Sequence, residues 1–478
     1  MLWYLFGVFL PMATLFIRSP IYTRIFSPEL YGKYTMVYIT YTYLSAIFFQ
    51  WITSSAWRYF KKYTNQLKTE TYSQTLIRLY LLTFLFLTII TFIWYHLTQD
   101  SYQRKLIFMG FLYASTQEMI NTLLVPMRMK AEAKKYNLIN GLRAVTSFLI
   151  LLLLTFIYNY TIEAFFLAPL IINVILLISL IFNQKKYLYR LWFHKEKNLS
   201  AHSKRFYRYG LTTLVFTTCI FLLATSDRYI ILLSGNYNEV GIYNQTYNIA
   251  NMSIAAILMA INAALNPVLL NSLETKPNKS DELLSRLLLL AMYIGLPFTI
   301  IFSILSKYIA QLLLGPEFRS AYLLMPFIFL SALLFGASHF ASVKLKFKNM
   351  FRQLMLSSGI VTCLNILLNL WWVPLYGYEW AAVSTLLSYL LFAILLFYSA
   401  KINPFKSSKI RHSYLIIVLG IIAVFISHIL FHRMLRQFQD SSLFAIVEGV
   451  ILLAIFALVT WNISPINKKN ISGYVQMD

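Results

Sequence analysis

Residues 26–39, FSPELYGKYTMVYI, and residues 233–249, LSGNYNEVGIYNQTYNI, carry the same short pattern in the two halves of the chain. Aligned on the acid, Glu29 with Gly32 and Tyr34 matches Glu239 with Gly241 and Tyr243, and each set opens a long apolar run. The glycines permit a tight turn into the adjoining run. Six apolar runs separate the copies, an even number, so both copies face the same side of whatever the runs cross. Two halves related in this way have a pseudo-two-fold axis along the membrane normal.

That the solvent is a membrane is evident from composition. Of 478 residues, 59% are hydrophobic, 17% aromatic and 12% charged, against about 25% charged in soluble domains. Fourteen spans are expected, near residues 2–25, 34–57, 76–97, 106–127, 138–158, 162–183, 208–233, 241–270, 285–306, 321–341, 354–374, 380–400, 413–431 and 442–461. Each is about the 20 residues that a bilayer crossing needs. The expected fold is therefore an all-α integral membrane protein with about 14 transmembrane helices. Two pseudo-symmetric six-helix lobes, residues 1–183 and 208–400, surround a central cavity; residues 184–207 form a basic linker, and 401–478 carry two further helices and a tail.

A formal charge of +24 would suggest nucleic acid in a soluble protein, but here the cations follow the spans. Alternate loops carry 29 of the 41 Lys and Arg, which places those loops and both termini in the cytoplasm. No nucleic-acid partner is expected; the basic linker lies on anionic lipid headgroups. Cys219 and Cys363 fall within apolar runs, and the seven His show no ligand spacing on one helix, so neither a disulfide nor a metal site is assigned.

Five cations lie inside the spans: Arg18, Arg24, Arg78, Arg143 and Arg228. A central Arg costs about 2.5–3.5 kcal/mol on insertion scales, less where it snorkels to an interface. Snorkelling is the reading for Arg78 and stands level with a cavity role for Arg24. Arg18, Arg143 and Arg228 point to a water-filled interior. Asp227 and Arg228 are adjacent, about 100° apart on a helix, and need not pair with each other. Asp227 and Glu118 are the candidates for coupling or charge balance.

Polar amides mark the same interior. On an ideal helix Asn244, Asn248, Asn251, Asn262 and Asn266 of the eighth span share an arc of roughly 60°. Interhelical hydrogen bonds account for one or two of them; five on one face point to a cavity wall. Gln117 with Asn121, and Asn365 with Asn369, repeat the pattern four residues apart.

The stretches IRSPIYTRIFSPELYGKYTMV, SDRYIILLSGNYNEVGIYN and LLLGPEFRSAYLLMPFIFLSALLFG together resemble the polysaccharide transporters of the multidrug/oligosaccharidyl-lipid/polysaccharide exporter superfamily, the Wzx-type flippases of O-antigen and capsule repeat units. The resemblance implies a fold of the MATE and MurJ kind in a bacterial plasma (inner) membrane. It implies a flippase, not an enzyme, that moves a polyprenyl-diphosphate-linked oligosaccharide to the external leaflet by alternating access, alongside a polysaccharide polymerase and chain-length machinery. For that substrate Arg18, Arg24, Arg143 and Arg228 would hold the diphosphate, as guanidinium groups do. Arg58 would recruit it, and the amides would meet the sugar. No cofactor is expected, since the chain has no Lys and Ser/Thr phosphate loop; proton or sodium coupling stays open. The alternatives are a MATE-like multidrug or cation exporter, which commonly has a carboxylate in its first helix where this chain has arginines, and a membrane polysaccharide polymerase or glycosyltransferase.

Overall fold

The structure, a computed structural model, describes residues 2–65, 69–125, 133–159, 161–183, 199–275, 280–403, 408–434 and 442–460. Among them every element is helical. The helices are α1 (Leu2–Tyr22), α2 (Pro28–Phe48), α3 (Gln50–Asn65), α4 (Thr69–Leu97), α5 (Ser101–Leu123), α6 (Ala133–Phe156), α7 (Ala164–Asn183) and α8 (Leu199–Ser234). They continue with α9 (Tyr237–Ala250), a π turn (Asn251–Ala255), α10 (Ala256–Thr275), α11 (Ser280–Ile304), α12 (Ser306–Leu313) and a 3₁₀ segment (Pro316–Leu323). The last are α13 (Met325–Phe347), α14 (Phe351–Tyr376), α15 (Trp380–Ser399), α16 (Ser408–Met434) and α17 (Ser442–Thr460). Among the described residues nine helices are long and apolar enough to cross a membrane, and the chain is a multi-pass membrane protein.

Each of the fourteen expected spans coincides with a long helical stretch, with three departures. The second is α2 and α3, separated at Phe49, and the eighth is α9 and α10 with a π turn between them. The loop after α11 folds into α12 and the 3₁₀ segment. Pro20 does not break the first helix, which runs on to Tyr22.

The starts of α2 and α9 explain the repeated sequence. Ser27 caps α2 by accepting from the Leu30 amide at 3.4 Å, with Pro28 in the first turn. Asn236 caps α9 by accepting from the Glu239 amide at 3.1 Å. Both satisfy an amide that a helix start leaves unpaired. Aligned on these caps, Gly32 falls on Gly241, Tyr34 on Tyr243 and Tyr38 on Tyr247, while the acids slip by one place. The cap, not the acid, is the element in register.

The chain divides into two compact units, Met1–Ile21 with Phe26–Thr225 and Tyr22–Ile25 with Ser226–Asp478. The division falls inside α8. Of the expected linker, residues 184–198 lie outside the described residues and Leu199 onward is already helix; residues 126–132, 276–279 and 404–407 and the tail from 461 also lie outside them. In the first unit α5 packs on α2, where Gly110 leaves room for Tyr41: a Cβ there would lie 2.7 Å from its ring. In the second unit α16 and α17 share a core with α11 built from Leu289, Ile301, Ile417, Val424, Leu452 and Phe456. The last two helices thus belong to this unit's packing.

Candidate functional site

A cavity of about 470 Å³ opens within the first unit. Tyr38, Tyr41, Thr42 and Ser45 from α2, and Gln50, Thr53 and Trp57 from α3, form one wall. Tyr113, Gln117, Glu118 and Asn121 from α5 form another, with Tyr136 from α6 and Phe221 from α8. Tyr113, Gln117 and Asn121 recur every four positions and Glu118 lies three before Asn121, so one helix face supplies them all. The break at Phe49 is what lets two successive helices contribute to the first wall.

Two of the expected arginines belong to this unit's interior. Arg143 donates from Nη2 to Gln117 Oε1 on the cavity wall. Arg18 is half-buried; it lies 4.6 Å over the Phe165 ring and hydrogen-bonds Tyr34, whose ring stacks on cavity-lining Tyr38 at 5.7 Å. Tyr113 feels both guanidinium charges. Among the described residues no carboxylate lies within ion-pairing distance of either arginine. Glu118 reaches Arg143 only through amides: Gln117 Nε2 donates to Asn121 Oδ1 at 3.2 Å, and Asn121 Nδ2 to Glu118 Oε1 at 3.5 Å.

The second unit treats its arginine differently. Arg228 is 3% exposed and Asp227 is fully buried, and the neighbours do pair, with Nη1 2.7 Å from Oδ1. The Arg228 guanidinium also lies 3.7 Å over the Tyr247 ring. Tyr243 donates to Asp227 Oδ2 at 2.6 Å. These contacts make Arg228 a neutralised core cation. Asn365 and Asn369, expected on a cavity wall, are fully buried too. Asn365 bonds Ser226, Ser388 and Asn369 at 3.2–3.3 Å, and Asn369 accepts from Ser384. Buried amides are satisfied by such partners.

The asparagine stripe of the eighth span does not survive as one face. The π turn at Asn251–Ala255 adds a residue and rotates the later part of the span by about 100°. Asn244 and Asn248 are half-buried and Asn251 is exposed. Beyond the turn, Asn262 donates to Gly336 O at 3.2 Å and Asn266 Nδ2 lies 3.2 Å from His339 Nε2. These last two join α10 to α13.

Three arginines lie elsewhere. Arg24 is exposed and donates to Leu312 O at 3.0 Å, near the carbonyl end of α12. Arg58 is exposed on α3, 4.4 Å over the Tyr209 ring. Arg78 is exposed on α4. Missed at the sequence level were Thr42, Ser45, Gln50 and Thr53; the polar run every three to five residues across Phe49 was the trace they left.

The family described as polysaccharide biosynthesis protein matches residues 1–273, more than half of the chain. This chain belongs to that family. No curated protein matches it. Among solved structures, the lipid II flippase MurJ in an inward closed conformation is similar with a TM-score of 0.70 at 17% identity, covering 98% of this chain and 99% of that one. An inward-facing multidrug resistance MATE family transporter of the MOP superfamily has a TM-score of 0.57 at 13% identity, covering 83% and 94%. The Vibrio cholerae MATE transporter VcmN in its bent form has a TM-score of 0.55 at 13% identity, covering 83% and 93%. At such identities the likeness shows the fold. The stretch that matches the polysaccharide biosynthesis protein family includes the whole cavity, Arg18, Arg143 and the Asp227–Arg228 pair.

Proposed function

We propose that this member of the polysaccharide biosynthesis protein family is a flippase. Its substrate is a polyprenyl-diphosphate-linked oligosaccharide repeat unit of O-antigen, capsule or a related surface polysaccharide. It carries this substrate from the cytoplasmic to the external leaflet of a bacterial inner membrane by alternating access. The observation that carries the reading is the pair Arg18 and Arg143, two guanidinium groups within one helical unit that no carboxylate pairs among the described residues. A cation at membrane depth without a carboxylate in direct contact is costly, and a diphosphate offsets that cost by bidentate, charge-assisted hydrogen bonds. The amides and phenols around the cavity suit sugar hydroxyls and ring faces. The isoprenoid tail needs no protein pocket, since lipid is its solvent. Moving two negative charges outward across an inside-negative membrane is favourable by about 4.6 kcal/mol per 100 mV, so the direction needs no nucleotide.

The test is a leaflet-transfer assay with purified protein in liposomes and a short-chain polyprenyl-diphosphate-linked sugar. Wild type is expected to move it without lengthening the glycan. Arg18→Ala and Arg143→Ala, correctly folded, are expected to slow transfer by about 10- to 100-fold, the scale of losing one charged hydrogen bond. Wild-type rates in both variants would refute the anion site. Elongation of the glycan, or efflux of cationic dyes in place of lipid transfer, would refute the substrate.

A further inference from the structure

The hydrogen bonds that join Arg143 to Glu118 all run one way. Arg143 donates to Gln117, Gln117 to Asn121 and Asn121 to Glu118. A cation at one end and a carboxylate at the other polarise the two amides in the same sense, which strengthens each link. The arrangement is a charge pair stretched over two side chains. It balances Arg143 without the direct ion pair that closes Arg228 off in the second unit. Gln117, Glu118 and Asn121 all face the cavity, so an arriving anion meets the relay itself.

We propose that Glu118 is the built-in counter-anion of the Arg143 site: a diphosphate displaces Gln117 from the guanidinium, and Glu118 takes up a proton from water as it does so. The inference rests on reading Arg143 as a diphosphate ligand. Two anionic groups confined together repel strongly at low dielectric, and a proton on Glu118 removes that repulsion while leaving a hydroxyl that can donate to the Asn121 carbonyl. Anion and proton therefore bind cooperatively. An ionised Glu118 favours release, which keeps a strong phosphate site from becoming a trap.

The groups around Glu118 leave the proton assignment clear. The Arg143 charge acts on it from α6 and the Tyr80 phenol from α4, while Tyr136 of α6, Tyr38 and Tyr41 of α2 and Tyr113 of its own helix line the same cavity. Helix α7 has no titratable side chain, and α3 presents uncharged groups to the cavity. Phenols ordinarily titrate near 10 and guanidinium above 12.

The experiment is calorimetric titration of the full-length protein in detergent with farnesyl diphosphate as probe, in steps from about pH 4 to about pH 8, a range that includes the ordinary Glu value of about 4.3. Wild-type affinity is expected to fall as pH rises. Glu118→Gln is expected to bind about tenfold tighter than wild type at the higher pH, the effect of deleting one like charge, and to keep only the pH dependence of the probe's own terminal phosphate, which titrates near about 6. Asn121→Leu interrupts the relay but keeps the carboxylate, so the wild-type pH slope should persist in it. A wild-type profile that parallels that of Glu118→Gln, or a Glu118→Gln protein with wild-type affinity across the range, overturns the counter-anion. Absence of binding in wild type, or unchanged binding in Arg143→Gln, overturns the diphosphate site and this inference with it.

Discussion

Asp227 and Arg228, neighbours on one helix, are each other's ion-pair partner inside the second unit, 2.7 Å apart and withdrawn from solvent. The Arg228 amide also donates to Asp227 Oδ1 at 2.9 Å, and Tyr243 and Tyr247 hold Oδ2 at 2.6 and 3.3 Å. In the first unit the place of Tyr243 is taken by Tyr34, and its charged partner is Arg18. The two halves thus keep the capped, tyrosine-bearing helix but put it to different chemistry: a closed charge pair in one, an open cation in the other.

The pair predicts a large stability effect. Asp227→Asn leaves Arg228 as a buried charge without its counter-ion, a loss of about 3–5 kcal/mol. The double variant Asp227→Asn with Arg228→Met removes both charges and should recover much of that loss. Thermal unfolding in detergent decides it: a single variant as stable as wild type would show that the pair is not part of the core.

The fold was largely legible because a membrane-spanning helix must satisfy its own backbone and cover itself in apolar side chains. The positions of the apolar runs followed from that, and helices lie on them, nine of which among the described residues are long and apolar enough to cross a membrane. What periodicity could not show was where a helix departs from ideality. Phe49 divides α2 from α3 with no Pro or Gly at the division, and the π turn at Asn251–Ala255 rotates Asn262 and Asn266 off the stripe that an ideal helix gives them. Residues chosen singly fared by their surroundings. Gln117, Glu118 and Asn121 meet at one cavity with Arg143 hydrogen-bonded to its wall, whereas Asn365 and Asn369 are absorbed by serines of α8 and α15 that no spacing rule connects to them. The roughly 100° spacing of adjacent residues left the pairing of Asp227 with Arg228 open, and the long Arg side chain folds back to its neighbour.

Glu163, in the turn before α7, predicts a pH effect. Burial pushes its carboxyl up, but hydrogen bonds from Lys105, Thr161 and Tyr102 outweigh that and hold it at about 2, below its ordinary 4.5. A carboxyl depressed on folding adds stability above its unfolded value and loses it as pH falls through the folded one. Glu163→Gln should therefore melt below wild type at neutral pH, and the gap should narrow below about pH 4.5 and close near pH 2. Melting curves across that range give the answer; a gap independent of pH would assign the effect to shape, not charge.

Gly315 predicts a packing effect. A Cβ there would stand 1.9 Å from the Thr23 carbonyl oxygen, a backbone atom with no room to retreat. The Gly315 amide also donates to Thr23 Oγ1 at 2.9 Å. Gly315→Ala must push the Tyr22–Ile25 segment off the rest of the second unit, at a cost of about 2–4 kcal/mol. Thr23→Ala loses only the hydrogen bond, about 1 kcal/mol. The ordering of the two variants in thermal unfolding is the check, and a Thr23→Ala loss equal to that of Gly315→Ala would refute the steric account.

Arg24 predicts a separation of roles among the arginines. Its Nη2 donates to Leu312 O, one residue before the end of α12, where helix carbonyls lack partners and the macrodipole favours a cation. Arg24→Ala should lower stability by about 0.5–1 kcal/mol, and Arg24→Lys should keep part of the dipole contribution. Transfer of lipid-linked sugar by Arg24→Ala should stay within about threefold of wild type, the size expected of a change that misses the binding step. A loss as deep as that of Arg18→Ala, at equal protein stability, would return Arg24 to the anion site and require the segment after α1 to leave α12 during transport.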